Sequence, residues 1–495
     1  MENLFFESIN GNISYGGHLK YEDPEYIIVA EGDIYLSDEK IPLLKVAELL
    51  RDNGDLMNVD GLFSMIVFNK NTGKLIALQD IFAYIHPLYY QVFDDGICVA
   101  LLMKQIIIDT KIPACLQKEN VTEFLYNGFL TDDRCLIEGI KKIPAMHMLT
   151  CDIYNKIVRY VKREYRLKTE MKAQSDYSVI LEKNLSNILD GRSEINMALS
   201  SGFDSNFILN TINRLKPNIK INAFSIGASN GNDEIDNVVK ICTYHPEVVH
   251  NIEKVTNISL QSLPQMVFEL EDSIFERGIF LQYVMSELLL KNKVDHIILG
   301  EGADQILSSE FKTTADKYYF VGTEKHYPWV YYPYEMLTYI ILKKNGIFLR
   351  NRDIQSFYPF IKENFIQGVY RFRQLNGTSK NHYKSYILSR VKKEIGELLT
   401  KRPGSTNLST LFNNNNQDLL KIAKMSEFYQ YLPKQPDRDS GAEVELDNCL
   451  KILYIMVFEE LFCNQNVEML KHKEVDISLD KLIDRIMQKK TGAIK

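Results

Sequence analysis

The sequence lacks the patterns that mark several classes of protein. Its seven cysteines are an odd number and include no Cys-x-x-Cys pair, which argues against a disulfide framework or a zinc site and favours a reducing compartment. The net charge of −7 argues against a nonspecific nucleic-acid binder, which normally carries a basic surface. The N-terminus has no basic segment typical of a signal peptide, and the apolar run at 452–458 is too short to span a membrane. We therefore expect a cytoplasmic protein with no membrane span and no nucleic-acid partner.

The pattern of apolar runs changes along the 495 residues, which are enough for two or three domains. In the first 165 residues, short apolar or alternating runs predict strands, and a turn at 69–73 predicts a hairpin. From residue 170 onward, strand-like runs alternate with long helical stretches, which is typical of an α/β domain with a parallel sheet. These later runs lie at 195–199, 221–226 and 295–299. We predict two domains, 1–165 and 170–495, with a boundary in the polar stretch 163–170.

Residues 199–205, which we call the phosphate loop, join a strand to a helix. Their sequence is Leu-Ser-Ser-Gly-Phe-Asp-Ser, between an apolar run at 195–199 and a helical stretch at 206–212. A strand, a tight Ser/Gly loop and a helix N-terminus form a phosphate cradle, because the backbone N–H groups and the helix dipole favour anions there. No Gly-Lys-Ser/Thr follows, so the loop is not a Walker A sequence. An ordinary strand-to-helix turn is the alternative.

Polar side chains of the phosphate loop add to this prediction. The hydroxyls of Ser200, Ser201 and Ser205 can donate further hydrogen bonds to a phosphate. Asp204 would repel phosphate unless a cation lay between them. Its presence therefore indicates Mg²⁺.

A second loop follows the strand-like run at 295–299. Residues 300–305 have the sequence Gly-Glu-Gly-Ala-Asp-Gln, so a buried strand ends in a glycine-rich loop with two carboxylates. This segment, the acidic loop, resembles the Gly-Glu-Gly-Ala-Asp-Glu motif in the synthetase domain of asparagine synthetases, with Gln305 in the last position. The phosphate loop resembles the Ser-Gly-Gly-x-Asp-Ser loop of ATP pyrophosphatases, with Ser201 in place of the first Gly.

The chain is thus identified as a member of the asparagine synthetase-like (class B) ATP-pyrophosphatase family. The resemblance implies cleavage of ATP between the α and β phosphates and formation of an acyl-adenylate. It implies Mg²⁺ held by Asp204 and Asp304, since two carboxylates at neighbouring strand ends can neutralise the leaving pyrophosphate; a helix N-cap is the alternative role for Asp304. The run 223–227 is similar to a strand end of the family that meets adenine and ribose, although a plain buried strand is the alternative. The ATP- and pyrophosphate-binding residues that the resemblance implies are Leu199, Ser200, Ser201, Gly202, Asp204, Ser205, Ser225, Gly227, Gly300 and Gly302.

The resemblance also implies catalytic side chains. Family members place a lysine in a late loop, and Lys401 in this chain, with Arg402 as the substitute, would offset charge on the α phosphate and the tetrahedral intermediate. A solvated basic pair is the alternative. Glu301 would accept or relay the proton of the amine. Aromatic residues at 311–334 could wall a folded peptide, or simply pack in a core.

The first part of the chain resembles the glutaminase domain of asparagine synthetases. The segments that follow the order of that domain are 60–65, 75–80 and 87–90. An active glutaminase of this type uses an N-terminal Cys activated by its own α-amine. Here position 2 is Glu2, the first cysteine is Cys98, and Gln79 replaces the usual Arg. We therefore predict an inactive, glutaminase-like αββα domain of the N-terminal-nucleophile (Ntn) hydrolase type, followed by an α/β synthetase domain of the adenine nucleotide α-hydrolase type.

An adenylating domain without a glutaminase needs another source of amine. The β-lactam synthetases have a Tyr where this chain has Glu301, which counts against them. The divergent first domain and the Thr-Lys-Arg segment at 400–402 resemble lasso-peptide cyclases best. We predict an ATP-dependent macrolactam synthetase that joins an Asp or Glu side chain of a precursor peptide to its N-terminal amine, with a leader-binding protein and a leader protease as further partners. The alternatives are an ammonia-dependent or β-lactam synthetase-like ligase of small molecules, and a non-catalytic partner that binds nucleotide or peptide.

Overall fold

A computed structural model describes most of the chain. The described residues are 4–36, 39–52, 54–80, 83, 87–111, 113–162, 177–228, 234–303, 306, 342–362, 364–366, 368–369, 385, 387–400, 408–412, 416–432, 442–465, 467–472, 474–475 and 477–490. The predicted domain boundary at 163–170 lies outside them, so the two domain ranges stay predictions. We refer to residues 1–165 as the N-terminal region.

The N-terminal region contains two antiparallel sheets. Its strands are β1 (Phe5–Ile9), β2 (Asn12–Gly16), β3 (Leu19–Glu22), β4 (Tyr26–Leu36), β5 (Glu39–Lys40), β6 (Val59–Asn69), β7 (Lys74–Gln79), β8 (Tyr89–Phe93), β9 (Gly96–Ala100), β10 (Lys141–Lys142), β11 (His147–Asp152) and β12 (Ile157–Lys162). One sheet has the order β10-β8-β9-β1-β2, and the other has the order β12-β11-β7-β6-β4-β3 with β5 paired to β4. The hairpin between β6 and β7 is confirmed, with Asn69 opposite Lys74 beside the turn.

Helices cover the outer faces of both sheets. Side chains from the two sheets, among them Phe6 and Phe68, meet in one apolar layer between the sheets. Helix α1 (Leu43–Arg51) packs its buried side chains on the outer face of the larger sheet. Helices α2 (Met103–Thr110) and α3 (Lys118–Asn127) cover the other sheet. The layers are therefore α-β-β-α, as the sequence predicts.

A parallel sheet forms the second part of the molecule, and this prediction is confirmed. Its strands are β13 (Glu194–Ala198), β14 (Lys220–Ala228), β15 (Val248–Val255), β16 (His296–Ile298) and β17 (Gln355–Phe357). Their order is β15-β14-β13-β16-β17 and every neighbouring pair is parallel. The direction of chain progression reverses between β13 and β16. In such sheets, ligands bind beyond the carboxyl ends of the strands at this switch point.

Helices flank the parallel sheet and extend to the C-terminal part. They are α4 (Tyr177–Leu189), α5 (Phe203–Leu215), α6 (Glu234–Thr243), α7 (Leu263–Leu270), α8 (Gly278–Lys291), α9 (Leu342–Asn351), α10 (Lys393–Thr400), α11 (Asn416–Met425), α12 (Ala442–Phe462), α13 (Val467–Leu470) and α14 (Leu479–Lys490). Short 3-10 turns lie at Leu260–Ser262, Leu408–Phe412 and Glu427–Tyr431. Within the described residues, no helix has the length and the apolar character needed to cross a bilayer.

The largest apolar core is shared between the N-terminal region and the rest of the chain. It contains Phe124 of α3 together with Phe348 of α9 and Tyr454 of α12. The rings of Phe124 and Tyr454 lie 5.3 Å apart. The apolar run at 452–458 is the buried centre of α12, where every residue is at most 2% exposed.

Candidate functional site

The phosphate loop connects the end of β13 to the first turn of α5. Gly202 is the N-cap residue in an extended backbone conformation, and no side chain caps the helix. Asp204 lies in the first turn of α5. The helix begins three residues earlier than the sequence predicts. A helix N-terminus with an acidic residue in its first turn therefore lies beyond the carboxyl end of β13.

Side chains of the loop hold its shape. Ser205 Oγ accepts a hydrogen bond from the Ser200 N–H at 3.1 Å and donates to the Ser200 carbonyl at 3.1 Å. Ser200 Oγ accepts from the Gly202 N–H at 3.1 Å. Asn206 Nδ2 donates to the carbonyls of Ser200 and Gly202 at 2.9 and 2.7 Å. The loop is therefore fixed before any ligand arrives, which reduces the entropy lost on binding.

A cleft of about 420 Å³ opens at the switch point of the parallel sheet. It lies between the ends of β13, β14 and β16 and the helices α6, α8 and α9. The lining residues that the sequence predicts as site residues are Leu199, Ser200, Asp204, Ser205, Ser225, Gly300, Glu301 and Gly302. The structure thus brings the phosphate loop and the acidic loop into one cleft, which is of the size that small-molecule sites usually have.

Gly300 of the acidic loop lies against the start of α5. A Cβ on Gly300 would lie 3.4 Å from Ser205 N and 3.5 Å from Asp204 Cβ, against the start of α5. Gly302 has a φ of +89°, a backbone conformation that glycine adopts without strain. A serine hydroxyl, an aspartate carboxylate and a helix N-terminus lie beside this opening. This donor set fits the phosphates of ATP with a magnesium ion.

Ser225 lines the cleft, and its hydroxyl is hydrogen-bonded to other residues of the protein. Its Oγ donates to the Leu199 carbonyl at 2.6 Å and lies 2.8 Å from His250 Nε2. Because the one hydroxyl proton goes to the carbonyl, His250 Nε2 must donate to Ser225 Oγ. Burial lowers the pKa of His250, so the imidazole is neutral at physiological pH. Ser225 of β14 therefore links the end of β13 to His250 of β15.

Two other predicted site residues lie beside the cleft instead of lining it. Ser201 is 0% exposed, and its Oγ donates to Glu234 Oε1 at 3.1 Å. A Cβ on Gly227 would overlap Ile235 Cγ1, so the glycine lets α6 pack closely on the end of β14. Glu234 and Ile235 themselves line the cleft. Ser201 and Gly227 thus position α6.

Glu301 is the carboxylate of the acidic loop that the structure describes. Its side chain is half-buried and lines the cleft. Burial raises the pKa of Glu301, while Lys344 and a hydrogen bond from Asn345 act in the opposite direction. Asn345 Nδ2 donates to Glu301 Oε1 at 2.6 Å, and Lys344, also in the cleft, is paired with Glu276 at 2.5 Å. A carboxylate with a raised pKa is suited to accept a proton near neutral pH.

The remaining predicted site residues lie outside the described residues. These are Asp304 of the acidic loop, the basic pair Lys401 and Arg402, and the aromatic segment 311–334. Within the part of the chain that the structure describes, no group of three or more His, Cys, Asp or Glu side chains could hold a metal ion. The roles of Lys401, Arg402 and Asp304 stay predictions.

Sequence reasoning missed three polar residues of this site. Lys344 and Asn345 come from α9, about 40 residues after the acidic loop, and His250 comes from β15. The polar run at 343–345, with apolar residues on both sides, was the available signal for α9. His250 gave no signal, because a single histidine in an exposed strand pattern is common.

The side chain of Gln79 is hydrogen-bonded to backbone groups of the N-terminal region itself. It is 0% exposed; its Nε2 donates to the Ile143 carbonyl at 2.8 Å, and its Oε1 accepts from the Leu88 N–H at 2.8 Å. Cys98, the first cysteine, is also buried, and burial raises the pKa of its thiol well above the usual value. Both side chains are therefore buried in the N-terminal region, and the absence of glutaminase activity stays a prediction.

Family models match both parts of the chain. A glutamine amidotransferase domain model matches residues 43–166, and an asparagine synthase model matches residues 179–367. The second match contains the phosphate loop, the acidic loop and α9. No curated protein sequence matches the chain.

Solved structures show only weak likenesses. The U34-tRNA thiolase NcsA from Methanococcus maripaludis is 13% identical with a TM-score of 0.23, over 47% of this chain and 81% of that chain. NMN synthetase from Francisella tularensis is 10% identical with a TM-score of 0.19, over 53% and 97%. Glutamine-dependent NAD+ synthetase from Acinetobacter baumannii, solved with ADP, is 10% identical with a TM-score of 0.24, over 90% and 84%.

Proposed function

Because the chain belongs to the asparagine synthetase-like family, we propose that it is an ATP-dependent macrolactam synthetase of the lasso-peptide cyclase type. As a member of this family, the protein is an ATP-dependent ligase of the asparagine synthetase type. The proposal adds the substrate: a precursor peptide whose Asp or Glu side chain is joined to the N-terminal amine of the same peptide. A leader-binding protein and a leader protease would prepare that peptide.

The single observation that carries an adenylating activity is the cleft at the switch point of the parallel sheet. There the phosphate loop and the acidic loop meet, so a helix N-terminus, a carboxylate in its first turn and Glu301 face one cavity. Such a site can perform two tasks at different places. The helix N-terminus favours the binding of the phosphates, and Glu301, after the neighbouring strand, can accept a proton. Activation and amide formation need these two tasks in sequence.

In the first step, the peptide carboxylate attacks the α phosphate of ATP. A carboxyl oxygen–phosphorus bond forms, the bond between the α phosphorus and the bridging oxygen breaks, and pyrophosphate leaves. The N–H groups at the start of α5 bind the phosphates, while the hydroxyls of Ser200 and Ser205 hold the shape of the loop. Asp204, with Asp304, would hold Mg²⁺, which when bound offsets the negative charge of the pyrophosphate. Lys401 or Arg402 would offset charge on the α phosphate.

In the second step, the N-terminal amine attacks the acyl carbon of the adenylate. A carbon–nitrogen bond forms, AMP leaves with the electron pair of the carboxyl oxygen–carbon bond, and the amine loses one proton. Glu301 accepts that proton, because its raised pKa suits a base that works near neutral pH. Holding the amine and the adenylate of one molecule together removes most of the entropy cost of their encounter.

The source of the amine distinguishes this proposal from a glutamine-dependent synthetase. The buried contacts of Gln79 and the buried thiol of Cys98 support an N-terminal region without glutaminase activity. The amine must then come with the substrate or from solution. A peptide that carries both its carboxylate and its amine meets this requirement in one molecule.

Glu301 also favours a second candidate, an ammonia-dependent synthetase that acts on a small carboxylic acid such as aspartate. Asparagine synthetases resemble this chain at Glu301, whereas β-lactam synthetases do not. Such an enzyme would use the same cleft and the same two steps, with free ammonia as the attacking amine. A protein that binds nucleotide without turnover is the third candidate, supported by the serine at position 201 and the glutamine at 305.

The test is mass spectrometry of reactions that contain the protein, ATP and Mg²⁺. One reaction receives a candidate precursor peptide encoded near the gene, and another receives aspartate and ammonia. AMP together with loss of one water from the peptide is the expected result. AMP with asparagine would establish the second candidate instead, and no AMP in either reaction, with ATP still bound, would establish the third.

The variant Glu301→Gln separates the two steps in the productive reaction. It keeps the size and the hydrogen-bonding shape of the side chain but cannot accept a proton. We expect exchange of labelled pyrophosphate into ATP to continue, while amide formation falls by about 100-fold or more. An equal loss in both steps would place Glu301 in activation and contradict its role as a base.

A further inference from the structure

The carboxylate of Glu301 is held by a residue from another element. Asn345 Nδ2 donates to Glu301 Oε1 at 2.6 Å, and Asn345 is 2% exposed. Within the described residues, Asn345 Oδ1 is buried and has no hydrogen-bond partner. An unpaired buried acceptor costs free energy. The hydrogen bond that Asn345 donates to Glu301 is the contact that offsets this cost. An apolar residue of the same size would avoid that cost.

Helix α9, which carries Asn345, is fixed to other elements by charged contacts on both sides. Lys343 Nζ lies 2.9 Å from Asp272 Oδ2, and Lys142 Nζ lies 3.3 Å from Asp272 Oδ1. The side chains of Lys142, Asp272 and Lys343 are at most 2% exposed. We call these three residues the buried ion cluster. At the other end of α9, Arg350 Nε lies 3.7 Å from Glu31 Oε1.

These contacts connect the cleft to the N-terminal region. Lys142 lies on β10 and Glu31 on β4, so both belong to the N-terminal region. Residues that follow one another on a helix point in directions about 100° apart. Lys343 therefore points to the buried charges while Asn345, two positions later, points to Glu301. A shift or rotation of α9 would move both contacts together, because a packed helix moves as one body.

We propose that Asn345 is a positioning residue for the Glu301 carboxylate, and that the N-terminal region holds Asn345 in place through Lys142 and the buried ion cluster. The role of Glu301 in amide formation rests on the proposed function. The contact itself does not. The N-terminal region thus has a task in the proposed reaction: it fixes the helix that orients the base.

The contact is tested first in the protein without substrate. Hydrogen exchange followed by mass spectrometry, on peptides that cover residues 296–303, reports the stability of the acidic loop. Asn345→Leu, which removes the donor at similar size, should speed exchange there by about tenfold or more while α9 stays protected. The control is Asn351→Leu on the same helix, where the exposed amide bonds only the Glu269 carbonyl at 3.4 Å. Unchanged exchange in the acidic loop of Asn345→Leu would overturn the proposal.

The effect on the reaction is then read from two rates with the substrate that the wild-type protein uses. Asn345→Leu should retain exchange of pyrophosphate into ATP within about threefold. The amide formed per AMP should fall by about tenfold or more, because a displaced base leaves the adenylate to water. A merely structural role would lower both rates alike, and that result would overturn the proposal.

The N-terminal region is tested with Lys142→Met, which leaves Asp272 paired with Lys343. The control is Lys141→Met, because Lys141 is exposed and pairs with Asp133. The amide formed per AMP should fall for Lys142→Met and stay unchanged for Lys141→Met. Equal values for the two variants would overturn the part of the proposal that concerns the N-terminal region. If the wild-type protein forms no AMP from any carboxylate, the proposed function fails, and hydrogen exchange in the two Asn variants still decides on Asn345.

Discussion

At the scale of single residues, the serines near the cleft already have partners within the protein. Ser200 and Ser205 bond each other's backbone or side chain, Ser201 bonds Glu234, and Ser225 bonds the Leu199 carbonyl. Their hydroxyls therefore fix the loops, and phosphate binding depends on the backbone N–H groups and on Asp204. Side-chain charge at Asp204 is then the feature that one substitution can remove cleanly.

Asp204→Asn should lower AMP formation by about 100-fold or more, because the amide keeps the shape but supplies no charge for a magnesium ion. Formation of AMP from ATP and the accepted substrate is the measurement. Asp236→Asn is the matched control, since Asp236 also lies in the first turn of a helix but is exposed and away from the cleft. Unchanged turnover in Asp204→Asn would contradict its assignment as a metal ligand.

Gly227→Ala should destabilise the protein by about 1–3 kcal/mol, because its Cβ would overlap Ile235 Cγ1. The free energy of unfolding in urea measures this effect. Ile235→Ala removes the overlapping atom, so the double variant should be more stable than the sum of the two single effects predicts. Simple additivity would show that the close approach of α6 to β14 is not the cause.

At the scale of elements, α9 joins the buried ion cluster to the cleft. Burial and the nearby Lys142 charge lower the pKa of Lys343 to about 8, although Asp272 acts in the opposite direction. Although burial acts in the opposite direction, the charges of Lys142 and Lys343 hold the pKa of Asp272 well below its usual value. The cluster of Lys142, Lys343 and Asp272 places two ammonium groups beside one buried carboxylate.

Stability should therefore rise with pH in the alkaline range. Since the pKa of Lys343 is lower in the folded protein than in the unfolded chain, the unfolded chain binds more protons between pH 8 and its ordinary pKa. The free energy of unfolding of the wild type, relative to Lys343→Met, should rise through this range by up to about 3 kcal/mol. Chemical unfolding at several pH values measures it, with exposed Lys421→Met as reference. A difference that stays flat with pH would contradict a lowered pKa of Lys343 in the folded protein.

Elements that local sequence specifies were predictable, and contacts between distant elements were not. The strands at 195–199 and 221–226 and the hairpin around 69–73 show in apolar patterning and turn residues, which act over a few positions. The carboxyl ends of parallel strands meet at one edge, so the meeting of the phosphate and acidic loops also followed from the pattern. The bond from Asn345 to Glu301 joins residues 44 positions apart and depends on how α9 packs, which no local pattern encodes. Ser201 and Gly227 were predicted as ligand contacts, yet in the structure they position α6.

At the scale of the whole molecule, the N-terminal region should not hydrolyse glutamine. The side-chain amide of Gln79 donates a hydrogen bond to the Ile143 carbonyl and accepts one from the Leu88 N–H. The Cys98 thiol is buried and protonated. We expect no glutamate from glutamine and no amide product when glutamine is the sole nitrogen source. A glutamate assay on the full chain measures this, with and without ATP. Release of glutamate at enzymatic rates would contradict the prediction.

The shared core has a consequence for how this chain can change. Phe124 and Tyr454 pack against each other from opposite ends of the chain, so removing the N-terminal region would expose the apolar side of α12 to water. Loss of a nucleophile costs such a protein almost no stability, whereas loss of the surrounding side chains would cost most of it. Selection can therefore keep a region of this kind even where its catalytic activity is lost. In that case we expect the sizes of its buried apolar side chains to be conserved more strictly than its polar groups. It would also melt together with the synthetase part, in a single calorimetric transition.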